Sequence, residues 1–352
     1  MASDEDYMRL AIEEAKKGGF NTWTNPNVGA CVVKDGQVLA TGYHHHYGAS
    51  HAERDTISKL TPEQLFDSTI YVTLEPCNHF GKQPPCSQLI IDSHIKRVVI
   101  AEIDPHKLVT GKGIQTLKDA GIEVKVGVLA DEAAKLNEHY NYFYSTELPY
   151  VTLKQAVTLD HKVCIKGKRS QITNSEVYKQ VHEERAKYQA IMIGSNTAII
   201  DNPTLLTDAD TDYPPVRVVV DRRGRLLDHL DLNLLQESST QTWILTMNEE
   251  LLKHPFPSNV KVFALQGKKA HDTIQLLTNQ GIQSVYVEGG PTLHKSLLDA
   301  GLVCDTITYV APKFLGTKGV SGIVAQSELT LTDTEIKTFS DNVRIYGRIK
   351  NV

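Results

Sequence analysis

Two short motifs constrain this chain more than anything else in it. One is His51-Ala52-Glu53; the other is a cysteine pair, Cys77 preceded by Pro76, and Cys86. One imidazole and two thiols are three of the ligands zinc takes, and they leave the fourth tetrahedral position open for water. A structural zinc site would close that position with a fourth residue. Zinc lowers the pKa of its bound water to about 7. Glu53, two residues past the histidine, can lean over the metal without ligating it and carry a proton from that water to a ring nitrogen and then to a leaving amine. Zinc deaminases of nucleobases pair His-x-Glu with Pro-Cys-x-x-Cys. Either half alone carries little, because His and Glu are common on solvated helix faces. Together, each after a predicted strand, they point to hydrolytic removal of an amino group from a pyrimidine-type ring.

Hydrophobic periodicity frames these motifs. A helix is predicted over 4–17, stopped by Gly18-Gly19. A strand at 28–33, an Asp35-Gly36 turn and a return strand at 37–43 form a hairpin. A helix begins near Ser50 as N-cap, followed by a strand at 70–74, a loop at 75–85 and a helix opened by Cys86. Strands at 97–101 and 123–128 alternate with helices at 114–120 and 131–144, which suggests a sheet covered by helices. The polar stretch ending in Pro149 marks a boundary, giving domains at 1–145 and 150–352. The second domain has strands at 150–157, 190–193, 216–220, 243–246 and 284–287, with helices at 175–187, 272–280 and 292–300. It ends in antiparallel strands at 305–311 and 343–349. A length of 352 residues suits two domains.

A net charge of −5 and a pI near 6.3 argue against a broad nucleic-acid footprint. No apolar run reaches the roughly 18–20 residues that span a bilayer, and the acidic first residues lack a signal-peptide pattern. A cytoplasmic enzyme without membrane or nucleic-acid partners is expected. Five cysteines, odd in number and sparse, suggest metal or chemistry in place of disulfides. Cys31 lies in an apolar strand and reads as core.

The cysteine spacing departs from that of nucleobase deaminases: eight residues separate the pair instead of two. PCNHFGKQPPC resembles the PCxHxGxxPPC loop of the bifunctional riboflavin-biosynthesis deaminase–reductases. NPNVGA (25–30), GYHHHYGASHAE (42–53) and, with some drift, DPHKLVTGKG (104–113) resemble that family's further deaminase motifs. The resemblance covers about the first 145 residues and implies a cytidine-deaminase-like α/β/α zinc domain. It further implies that His51, Cys77 and Cys86 hold zinc, that Glu53 is the catalytic proton shuttle, and that Asn25, His44 and Lys82 contact substrate. Lys82 and His44 suit the anion of a phosphorylated pyrimidine, and Asn25 a polar ring or sugar edge.

The second half resembles the same family's reductase domain, of dihydrofolate-reductase-like α/β fold, through KQAVTLD (154–160), IGSNT (193–197), DNPTL (201–205) and VEGGPTL (287–293). A Gly-Gly turn between strand and helix lets backbone N–H groups approach a phosphate. The resemblance implies NADPH as cofactor, touched by Ala156, Thr197, Asp201, Gly289, Gly290, Pro291, Thr292 and Leu293. It implies substrate contacts from Lys154, Arg185, Leu205 and Glu288, with Arg185 forking the phosphate. The reaction implied is reduction of the ribosyl group of the deaminated product to ribityl. Homo-oligomers are the family's habit. Three positions depart from its pattern: His161 stands where the family has Gly, Gln171 where it has Trp, and Asp208 where it has a phosphate-binding Arg. The family's phosphate-binding Ser falls near Arg169 or Ser170. A deaminase with a non-reducing second half is the rival expectation. An RNA- or nucleoside-editing deaminase is disfavoured by the cysteine loop and the acidic charge. A closed structural zinc site would leave Glu53 without a role.

Overall fold

The computed structural model describes residues 2–79 and 84–350. The chain divides into two compact units, Met1–Glu147 and Leu148–Val352.

The first unit is built on five strands: β1 (Gly29–Lys34), β2 (Gln37–Tyr43), β3 (Thr69–Leu74), β4 (Arg97–Glu102) and β5 (Glu123–Val126). Their order is β2-β1-β3-β4-β5. β1 runs antiparallel to β2 and β3, while β3, β4 and β5 are parallel. Asp35 and Gly36 both take positive φ, the pair a tight hairpin turn requires. Alternation along β1 divides the core between the two faces. Cys31 and Val33 pack with Met8 and Ile12 of the helix Asp4–Ala15. Ala30 and Val32 pack with the helices Ala52–Ile57, Cys86–Asp92 and Lys112–Asp119. Cys31 is fully buried, and burial pushes its thiol up to about 12.

Two expectations need correction here. The N-cap of the helix Ala52–Ile57 is His51, not Ser50, and its side chain makes no capping bond. The Ser50 carbonyl is instead engaged by His44. The single helix expected over 131–144 is broken into Ala130–Ala134, a 3-10 turn Lys135–Asn137, and Glu138–Thr146. Asn137 causes the break: its amide grips the backbone of Asn27 at 2.7 and 3.0 Å, a contact local periodicity does not encode.

The second unit contains β6 (Tyr150–Thr158), β7 (Lys162–Ile165), β8 (Ala190–Gly194), β9 (Val216–Val220), β10 (Thr242–Thr246), β11 (Val260–Ala264), β12 (Ser284–Gly289), β13 (Asp305–Ala311), β14 (Gly319–Ser321), β15 (Leu331–Phe339) and β16 (Asn342–Ile349). Nine of these form one sheet, ordered β11-β10-β9-β8-β12-β6-β13-β16-β15; β7 and β14 pair separately. The run from β11 to β13 is parallel, and β16 and β15 are antiparallel. The inner strands are buried on both faces, which explains their continuous apolar runs.

Candidate functional site

His51 ends the loop before its helix, and Cys86 is the first residue of another helix; Cys77 lies just beyond β3. Parallel β3 and the helix starts converge there, so three elements deliver three ligands. His51 Nδ1 lies 3.5 Å from Cys77 Sγ and 3.4 Å from Cys86 Sγ, and the three ligating atoms sit within 4.8 Å of one another. Zinc bonds of ordinary length would make tetrahedral edges of about 3.5 Å, so the donor set fits that ion and leaves an open position. The Cys86 thiol donates to Cys77, and His51 adds to the effect; together they hold the Cys77 thiol down at about 4. The cost falls on Cys86, whose thiol is raised. Metal binding would release the one proton that the pair still holds.

Glu53 is 3% exposed, and burial pushes its carboxyl up to about 7. It lines a cavity of about 360 Å³ together with His51 and Cys77, a volume suited to a small heterocycle. Asn25 and His44 line the same cavity. His44 Nδ1 is 3.0 Å from the Ser50 carbonyl, which can only accept, so Nδ1 carries the proton. Nε2 then accepts from Asn25 Nδ2 at 3.0 Å. Burial lowers the pKa of this ring, which is neutral at pH 7. His44 thus lines the cavity as expected and also fixes the Asn25 amide. Lys82 lies outside the described residues.

Glu75 and Asp104 also line the cavity, and neither was among the expected site residues. Glu75, 4% exposed, accepts backbone N–H groups from Gly111 at 2.9 Å and Ile114 at 3.1 Å. Asp104, 6% exposed, accepts from Tyr140 Oη at 3.1 Å. Glu75 stands beside Pro76-Cys77 and Asp104 opens the DPHKLVTGKG segment, so their positions were signalled but their partners were not.

In the second unit, β12 lies between β8 and β6. A register shift between Val287 and Gly289 leaves Glu288 in a bulge, which re-aims its side chain. Arg185 meets it with Nε–Oε1 at 2.5 Å and Nη2–Oε2 at 3.0 Å; Lys154 Nζ is 3.8 Å away. Burial alone would raise the Glu288 carboxyl, but the charges of Arg185 and Lys154 prevail and hold it at about 2. Arg185 Nη1 is also spent, on the Leu206 carbonyl at 2.7 Å. Without substrate, this guanidinium forks the Glu288 carboxylate. The Leu205 side chain is 3% exposed and packs in the core with Ile191 and Val219, so a substrate contact at this position would come from its backbone.

Thr197, on the helix Ser195–Asp201, faces the glycine pair: a Cβ on Gly290 would lie 3.0 Å from its Oγ1. Gly289 has φ of +141° and Gly290 caps the helix Pro291–Asp299. A backbone stripped of side chains at a helix start is a cradle that fits a pyrophosphate. Pro291 and Thr292 open that helix, and Leu293 turns into the core. Ala156 lies on β6, part-buried, and Asp201 closes its helix with a carboxyl raised by burial against the pull of Arg169. Ser170 Oγ accepts from the Ile165 N–H at 3.0 Å. Asp208, mostly exposed, lies 3.0 Å from His182 Nδ1, so a basic group does face the carboxylate that replaces the expected arginine.

Comparison with known proteins agrees with both halves. Residues 1–102 match the cytidine and deoxycytidylate deaminase zinc-binding region, and residues 149–345 match the RibD C-terminal domain. The riboflavin biosynthesis protein RibD of Bacillus amyloliquefaciens is 40% identical, over 99% of this chain and 95% of its own. That of Escherichia coli K12 is 36% identical over 89% of each. RibD of Acinetobacter baumannii superposes with a TM-score of 0.89 at 35% identity, covering 99% of both chains. A diaminohydroxyphosphoribosylaminopyrimidine deaminase/5-amino-6-(5-phosphoribosylamino)uracil reductase of Thermotoga maritima gives 0.85 at 34% identity, covering 98% of both. No helix of the described residues is long and apolar enough to cross a membrane. A cytidine-deaminase-like unit followed by a dihydrofolate-reductase-like unit, over most of the length of its relatives, places this chain in the RibD family of bifunctional deaminase–reductases of riboflavin biosynthesis.

Proposed function

We propose that the first unit deaminates 2,5-diamino-6-ribosylamino-4(3H)-pyrimidinone 5′-phosphate and that the second reduces the product's ribosyl group to ribityl with NADPH. The observation that carries the first step is the buried Glu53 carboxyl beside the His51, Cys77 and Cys86 donors in one cavity. Zinc at those donors supplies an activated water near neutral pH. Glu53 would take a proton from the attacking water and pass it to the ring nitrogen, then take the proton of the added hydroxyl and give it to the amine, which leaves as ammonia. Asn25, held by His44, positions the ring or the sugar. Burial keeps bulk water from competing for the Glu53 proton.

For the second step, Thr197 and Gly289 to Thr292 would hold the cofactor's phosphates, with Ala156 and Asp201 as further contacts, and NADPH would supply the hydride. Lys154, Arg185 and Glu288, joined in one buried charged cluster, would face the substrate. The similarity of residues 149–345 to a reductase domain favours this reading over a non-reducing scaffold. Zinc, NADPH and homo-oligomeric assembly all belong to it. Chelator treatment should abolish ammonia release from the diamino ribotide, and zinc should restore it. NADPH oxidation with the deaminated ribotide should persist throughout. Ammonia release that survives complete removal of metal would refute the zinc step.

A further inference from the structure

Several polar groups of the deaminase cavity have an assignment. His51, Cys77 and Cys86 suit a metal, Glu53 a proton, and Asn25 and His44 bond each other. Asp104 belongs to none of these sets, yet it lines the cavity and is 6% exposed. It stands two residues beyond β4, whose parallel neighbour β3 leads into Glu75 and Cys77. Open α/β sheets bind ligands at this carboxyl edge.

The surroundings of Asp104 hold its carboxylate still. Oδ1 accepts from the His106 N–H at 2.8 Å and from Tyr140 Oη at 3.1 Å. Among the described residues, Oδ2 reaches only that same hydroxyl, at 3.4 Å. Glu75 clamps the segment behind it: Oε2 accepts from the N–H groups of Gly111 at 2.9 Å and Asp104 at 3.4 Å, and Oε1 from that of Ile114 at 3.1 Å. The clamp also reaches the metal loop, since a Cβ on Gly113 would lie only 2.0 Å from the Pro76 carbonyl oxygen. A hydroxyl has one proton to give, so Oδ2 keeps acceptor capacity. A buried carboxylate oxygen without a donor is costly until one arrives. The exocyclic amine of an aminopyrimidine is such a donor.

We propose that Asp104 is a specificity-determining residue of the deaminase site, a fixed acceptor for the N–H edge of an aminopyrimidine, with Glu75 and Tyr140 as its positioning residues. This rests on the deaminase reading given above. The test is Asp104→Asn in the zinc-loaded full chain, with ammonia release, zinc content and melting midpoint measured on the same samples. Asparagine can still accept from His106 and Tyr140, but it turns an amide N–H toward the substrate's donor. KM should rise about 10- to 100-fold, the range for a lost hydrogen bond to a charged group. Zinc content and melting should stay unchanged and kcat should move only a few-fold. An unchanged KM, or a loss confined to kcat, overturns the proposal. If that variant loses zinc or fails to fold, Tyr140→Phe decides: KM should rise several-fold with zinc retained, and an unchanged KM again overturns it. If the wild type releases no ammonia from the ribotide, the substrate reading has failed. The Asp104 proposal is then judged by binding of isocytosine against 4-pyrimidinone, which lacks the amine. Wild type should prefer isocytosine about ten-fold and Asp104→Asn should not; equal binding by wild type overturns it.

Discussion

Glu53 sits two residues past His51 and is 3% exposed, so it has little to do except chemistry. Glu53→Gln preserves shape and leaves the three donors untouched. The variant should retain zinc and lose ammonia release by about 10²- to 10⁴-fold, the usual worth of a general acid–base. Near-normal turnover would remove Glu53 from the mechanism. Arg185 makes a different case, because its partner is a largely buried carboxylate. Arg185→Ala strands Glu288, and a broken buried pair costs about 3–5 kcal/mol. Denaturant unfolding should show a lowered midpoint; an unchanged midpoint would mean Glu288 finds another partner. The convergence of His51, Cys77 and Cys86 was legible because few residue types offer a metal such donors and each lies in a short motif. The Arg185–Glu288 pair was not, since a partner 103 residues away leaves no mark on local sequence. His44 shows the same limit: its identity was readable, its tautomer and neutrality only from Ser50 and Asn25.

Segment 104–114 is the element on which the deaminase pocket depends, for it carries Asp104, His106 and Val109 into the cavity wall. Its packing leaves no room at Gly113, where the contact is a backbone carbonyl and cannot swing away. Gly113→Ala should therefore displace the segment and lower stability by about 1–3 kcal/mol, as overpacking does. A melting midpoint equal to wild type would show that the segment yields freely. The strands that were legible are those with apolar runs, such as β4, β8 and β12, where burial on both faces demands Val and Ile. β15 was missed because it is an edge strand, exposed along almost its whole length, whose Thr, Asp, Glu and Lys give the pattern of a loop. β7 and β14 were missed for their brevity, and for pairing only with each other. The broken helix over 131–144 failed as a prediction because Asn137 answers to Asn27, far away in sequence.

At the scale of the whole molecule, two compact units carry two chemistries, and their stabilities answer to different groups. Glu288 is held at about 2 where a free carboxyl sits near 4.5. A depressed carboxyl makes the unfolded chain bind more protons between those values, so stability rises with pH there. The contribution is complete above about 4.5 and disappears as pH falls toward 2. The unfolding midpoint of the second unit should fall on acidification through that window; a flat profile would contradict the pairing. The two-domain plan was legible from length, motif order and the polar stretch before Pro149, while the reductase half was clouded by Gln171 and Asp208. Asp208 sits against His182, and Gln171 lends its carbonyl to Lys313. The central claim is that one chain performs both steps. It is tested most directly by giving the zinc-loaded full chain the diamino ribotide with NADPH and following ammonia and NADPH absorbance together. One NADPH oxidised per ammonia released, after a lag in which the deaminated product accumulates, is the expected result. Ammonia with no NADPH oxidation would contradict the claim and leave the reduction to another protein.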